Sequence, residues 1–227
     1  MSVPLSETPS TSALPARAVA QESLLPQIFR VAWLSVGVGI ALEILLLVLA
    51  AFSGTAGESG KPALAELAQK ISWSFLVCVG LAFGTAAKKL REAVMGGFGF
   101  LAAPLAFIAA KAVHKGVGQA LGTIAPGVPF TFPLLIAAVK ALEYGALGAL
   151  LGYASARNKS LAFHVAAGIA TGVTFGVLLI WAGARAQDGP TSAVDLASRG
   201  INEILFPLGC SLVIYAGEAF GRRMQGA

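Results

Sequence analysis

Residues 29–52 read FRVAWLSVGVGIALEILLLVLAAF, twenty-four positions in which only Arg30 and Glu43 carry charge. The run is apolar on all sides and long enough to cross a hydrocarbon core about 30 Å thick, so it reads as a transmembrane helix. Five more runs of this kind follow, at 71–87, 94–113, 133–156, 161–184 and 200–221. Most stop at basic clusters: Lys88, Lys89 and Arg91 after the second, His114 and Lys115 after the third, Arg157 and Lys159 after the fourth, Arg185 after the fifth, Arg222 and Arg223 after the sixth. The expected fold is an all-α integral membrane bundle of about six transmembrane helices.

Composition agrees with the runs. Of 227 residues, 56% are hydrophobic and 12% charged, against roughly a quarter charged in a soluble domain. A transmembrane barrel is disfavoured because barrel strands alternate apolar and polar residues over about ten positions. The formal net charge of +5 would suggest nucleic acid for a soluble protein. Here the basic residues sit at the ends of apolar runs and act as topology signals, so the expected surroundings are a lipid bilayer and no nucleic acid.

Residues 1–28, with Pro4, Pro9, Pro15 and Pro26, are expected to form a flexible cytoplasmic tail without the apolar core of a secretory signal, and residues 29–227 the six-helix transmembrane domain. Residues 116–133, broken by Gly118, Gly122, Pro126, Gly127 and Pro129, read as a loop or a re-entrant segment. Six spans put both termini on one side. That side carries nine Lys and Arg residues (Arg17, Arg30, Lys88, Lys89, Arg91, Arg157, Lys159, Arg222, Arg223) against six on the other (Lys61, Lys70, Lys111, Lys115, Arg185, Arg199), which favours cytoplasmic termini. A bacterial inner membrane is the expected location.

Helices in lipid associate through close packing, and small residues four apart let backbones approach. Gly80 and Gly84 in the second span, Gly145, Gly148 and Gly152 in the fourth, and Gly168, Gly172 and Gly176 in the fifth are such sets. They either hold a monomeric bundle together or meet a second copy or other membrane subunits.

Two cysteines and two histidines, each alone in its stretch, offer no zinc, haem or iron–sulfur ligand set. No cofactor or metal is expected. Cys78 and Cys210 read as small apolar packing residues rather than a disulfide, His164 as interfacial, and Trp33, Trp73 and Trp181 as an aromatic belt. No nucleophile has a convincing His or Asp partner, so an enzyme is not expected.

Ionisable residues inside spans are costly and mark functional or structural sites. Glu43 lies in the first span, Glu143 in the fourth, and Lys140 three positions before Glu143 on nearly the same helical face. One lysine compensates only one of two glutamates, so these three form the candidate ion or solute site. Glu203 and Glu218, flanking Pro207 in the sixth span, are expected near the two interfaces as gating or interfacial charges. Ala41-Leu42-Glu43 recurs as Ala141-Leu142-Glu143 and Pro104-Leu105 as Pro207-Leu208, which raises an inverted three-plus-three repeat. The expected function is a small transporter or channel for an ion, proton or small solute. The alternative is a non-catalytic structural or assembly subunit of a larger membrane complex. A cavity reaching the charges favours the first and dry packing around them the second.

Overall fold

A computed structural model describes residues 14–52, 60–87, 89–127, 134–186 and 193–225. Six helices carry these segments: α1 (Leu14–Phe52), α2 (Gly60–Gly84), α3 (Arg91–Ala120), α4 (Leu134–Ala156), α5 (Leu161–Ala186) and α6 (Ala193–Gln225). All six are long and apolar enough to cross a membrane, and the described residues contain no strand. The expected tail residues 1–13, the loop residues 53–59 and 187–192, Lys88, and residues 128–133 lie outside the described residues.

Several boundaries differ from the sequence expectation. Helix α1 already begins at Leu14 and runs through Pro26, whose carbonyl accepts a hydrogen bond from Arg30 Nε at 3.1 Å. A proline forfeits one helical hydrogen bond but does not by itself end a helix whose remaining turns stay bonded. Helix α2 starts at Gly60, eleven residues before the expected start of the second run at 71, so Lys70 lies within the helix. Pro62 sits in the first turn, where its missing N–H is no loss. Helix α3 likewise continues to Ala120 and takes in the first five residues, 116–120, of the stretch expected to be a loop or a re-entrant segment. Its chain then turns back on itself, with Thr123 N and Ile124 N both donating to Gly118 O at 2.8 and 3.1 Å. Between α4 and α5, Asn158 takes a left-handed conformation (φ 49°) and Lys159 N donates to Ala154 O at 2.9 Å, closing the helix end.

Successive helices pack as neighbours, α6 returns to α1, and α6 also touches α2 and α4 across the centre. The bundle is therefore a ring with α6 reaching inward. Its core holds Trp73, Val77, Cys78, Leu81, Met95, Tyr144, Leu147, Leu151, Cys210 and Ile214. The outward faces are as apolar as the core: Phe29, Trp33, Leu101, Leu105, Leu135, Val177 and Trp181 are all more than half exposed. Such a surface suits hydrocarbon better than water.

Glycines set the distances between helices. A Cβ on Gly84 would meet Met95 of α3 at 2.6 Å, and one on Gly152 would meet the Arg91 carbonyl at 2.7 Å. Gly80 faces Ala102, Gly145 faces Phe100, and Gly148 faces the Met95 carbonyl. On α5, Gly168 faces Leu208, while Gly172 and Gly176 face Glu203 and its neighbour Ile204 on α6. All eight glycines singled out in the sequence thus serve contacts within the chain.

Candidate functional site

The helices alternate in direction, so one end of the bundle gathers the starts of α2, α4 and α6 with the ends of α3 and α5. A cavity of about 530 Å³ enters there. Its walls combine apolar side chains, including Trp73, Phe107, Ile136 and Phe206, with Glu66, Lys70, Lys111, His114, Lys140, Arg199, Asn202 and Glu203.

Lys140 stands at the inner part of this wall. Its Nζ is 2.8 Å from Glu143 Oε2 and also donates to Glu203 Oε2. The Trp73 and Tyr144 rings flank the ammonium, with centroids 5.6 and 5.8 Å away. The two rings meet edge to face at 5.5 Å, and Trp73 packs similarly on Phe107 at 6.4 Å. This aromatic collar fixes the lysine over its carboxylates. Glu143 is fully buried, and its Oε1 has no hydrogen-bond partner. Glu143 lies nine residues from the start of α4 and thirteen from its end, roughly 14 and 20 Å along the axis.

Lys70 supplies the second charged group. It pairs with Glu43 of α1 and, at 3.2 Å, with Glu66 one turn earlier on α2. Ser74 Oγ reinforces this contact by donating to Ser35 O at 2.8 Å. Glu43 itself is 3% exposed and lies behind Lys70, away from the cavity surface.

The expected trio is therefore divided. Lys140 and Glu143 meet as their spacing implied, but Glu43 belongs to Lys70. Glu203, expected near an interface beside Arg199, turns inward and completes the Lys140 cluster. Glu218 lies at the other end and pairs with Arg91 at 3.6 Å. Trp73 is displaced from its expected role. It is core rather than belt, while His164, in the first turn of α5, is 1% exposed, with Nδ1 3.0 Å from Ser160 O and Tyr215 beside the ring. Trp33 and Trp181 do face outward.

Beneath the cavity the core closes. Tyr144, Leu81, Met95, Leu147 and Leu151 are fully buried. Cys78 and Cys210 meet there as free thiols, with Sγ atoms 2.9 Å apart. At the far end Arg91 donates to Thr85 O at 2.5 Å through Nη2, and Gln27 Nε2 donates to Thr85 Oγ1 at 3.0 Å. That network ties α1, α2 and α3 together, and Glu218 adds α6. No family model, curated protein or solved structure matches the chain.

The site can hold charge and change it. Two carboxylates share one ammonium at Lys140, so the cluster carries one net negative charge when all three groups are ionised. A proton or a monovalent cation neutralises it, and the unbonded Glu143 Oε1 has room in its valence for either. Sequence reasoning missed Lys70, Glu66 and Trp73. The signal was present in the shortness of the second span, since extending it backward brings Lys70 into the membrane-length helix.

Proposed function

We propose that this chain is an integral membrane transporter for a small solute or ion, coupled to protonation of the Lys140–Glu143–Glu203 cluster. The cavity ending on Lys140 is the observation that supports this most. It gives the buried charges a route to water on one side, while the Leu81, Met95 and Leu147 layer seals the other. A polar clasp with only a structural task needs no such opening. With the termini in the cytoplasm, as the basic-residue count favours, the cavity faces outward. Alternating access then requires the Arg91–Thr85–Gln27–Glu218 network to open while the cavity end closes. The reading does not depend on a three-plus-three repeat.

Reconstituted vesicles test it. Under an imposed pH gradient, a panel of small cations, anions and neutral solutes is expected to include members that drive proton movement, read with an entrapped pH dye. Glu143→Gln and Glu203→Gln should each abolish that solute-dependent proton movement, since the amide keeps the shape but cannot ionise. Silence across the whole panel for the unaltered protein, or undiminished movement in both variants, would leave the cluster as a clasp within a structural subunit.

A further inference from the structure

The cavity's charges are not all accounted for by one another. Lys70 and Lys140 are each held by two carboxylates, Glu43 with Glu66 and Glu143 with Glu203. Lys111 and Arg199 line the same cavity and form no ion pair with any described residue. Asn202, beside Arg199 on α6, keeps a buried side-chain oxygen without a hydrogen bond. Its wall therefore holds two cations without an ion pair to a described residue, set among Trp73, Phe107, Ile136, Leu179 and Phe206.

We infer that the ligand of this cavity is a monovalent organic anion with an apolar body, taken up together with one proton. This inference rests on the transporter reading and adds the substrate class to it. Four cations (Lys70, Lys111, Lys140, Arg199) stand against four glutamates (Glu43, Glu66, Glu143, Glu203), so the fully ionised site is neutral and has no net attraction for an anion. One proton on the Glu143–Glu203 pair leaves a single positive charge, which one monoanion balances. Proton and anion each favour the other's binding, because either alone leaves an unbalanced charge in a partly desolvated site. The proton enters from water through the cavity and resides on a carboxylate oxygen. The anion headgroup lies against Lys111 and Arg199, and its apolar part lies against the aromatic collar.

The groups facing the pair are consistent with this balance. Helix α3 presents Lys111 and His114 to the cavity, α2 presents Glu66 and Lys70, α6 presents Arg199, and Tyr144 of α4 lies against the Lys140 ammonium. The only titratable residue of α5 between 161 and 182 is His164, at the opposite end. A neutral His114 leaves the sum unchanged. A charged one adds to the attraction for an anion.

Trp73 is a built-in reporter, since Trp33 and Trp181 are the only other tryptophans and both face outward. In lipid nanodiscs, a Trp33→Phe/Trp181→Phe protein is titrated with acetate, benzoate, 3-phenylpropionate and, as the matched cation, benzylamine. Benzoate or phenylpropionate should shift the Trp73 emission saturably and take up about one proton per anion bound in weakly buffered solution. Benzylamine should do neither. Lys111→Gln combined with Arg199→Gln should weaken the carboxylate roughly tenfold or more, as loss of charge-assisted contacts implies. Glu143→Gln, which fixes the neutral form, should keep carboxylate binding but lose the proton uptake. Saturable binding of benzylamine in place of the carboxylates, or no response to any carboxylate, overturns the anion assignment and leaves the flux test of transport standing on its own. Carboxylate binding without proton uptake in the unaltered protein overturns the coupling.

Discussion

Lys140→Met is expected to lower the stability of the folded protein by about 3–5 kcal/mol, the usual cost of removing one partner from a buried ion pair. The loss is large because Glu143 is fully buried and Glu203 lies against the same ammonium, so two carboxylates are left facing each other in a desolvated site. Thermal unfolding in detergent should show a midpoint lower by roughly 10 °C for a chain of this size. Adding Glu143→Met should recover much of the loss. Glu203, which is 22% exposed at its side chain, then reaches cavity water alone. An unchanged midpoint for Lys140→Met would mean that the ammonium is not what holds these carboxylates.

Gly148→Leu is expected to be comparably damaging through packing alone. Gly148 faces the Met95 carbonyl and Leu81, and Gly99 on the opposing helix faces the Tyr144 carbonyl, so α3 and α4 approach backbone to backbone. A leucine cannot be absorbed by a side-chain rotation there, because the atoms in its way belong to the main chain. The helices must separate, which costs at least about 3 kcal/mol and tilts Glu143, Tyr144 and Lys140 on the same helix. Leu105→Ala, on an outward face of α3 and 66% exposed, should change the unfolding midpoint little. Equal midpoints for the two variants would contradict the assigned α3–α4 contact.

The features legible in the sequence were those that depend on one helix at a time. Span number follows from apolar length, the Lys140–Glu143 pair follows from three-residue spacing, and the glycine sets mark the close contacts they serve. What could not be read was the rotation and partner of each helix. Glu43 looked like a companion of Glu143 because both sit mid-span, yet its nearest cation lies on α2. That lysine was hidden because a charged residue at the start of an apolar run looks like a boundary. Trp73 misled for the same reason: a tryptophan near a shortened span's end resembles an interfacial anchor, and only the true start of α2 at Gly60 places it inside. Glu203 turned inward because Gly172 and Gly176 on α5 leave room beside it, a complementarity between two helices that neither displays alone.

Cysteine accessibility tests most directly the central claim, a charged, water-filled cavity entering the bundle from the side opposite the termini. On a Cys78→Ala/Cys210→Ala background, which removes both native thiols, single cysteines are placed at Ile136 in the cavity wall, Leu147 in the sealed layer and Lys89 at the other end. A membrane-impermeant maleimide applied to intact cells should label Ile136→Cys and spare Leu147→Cys and Lys89→Cys, and after the membrane is opened Lys89→Cys should label as well. Failure of Ile136→Cys to label from either side, or labelling of Ile136→Cys and Lys89→Cys from the same side, would contradict the account.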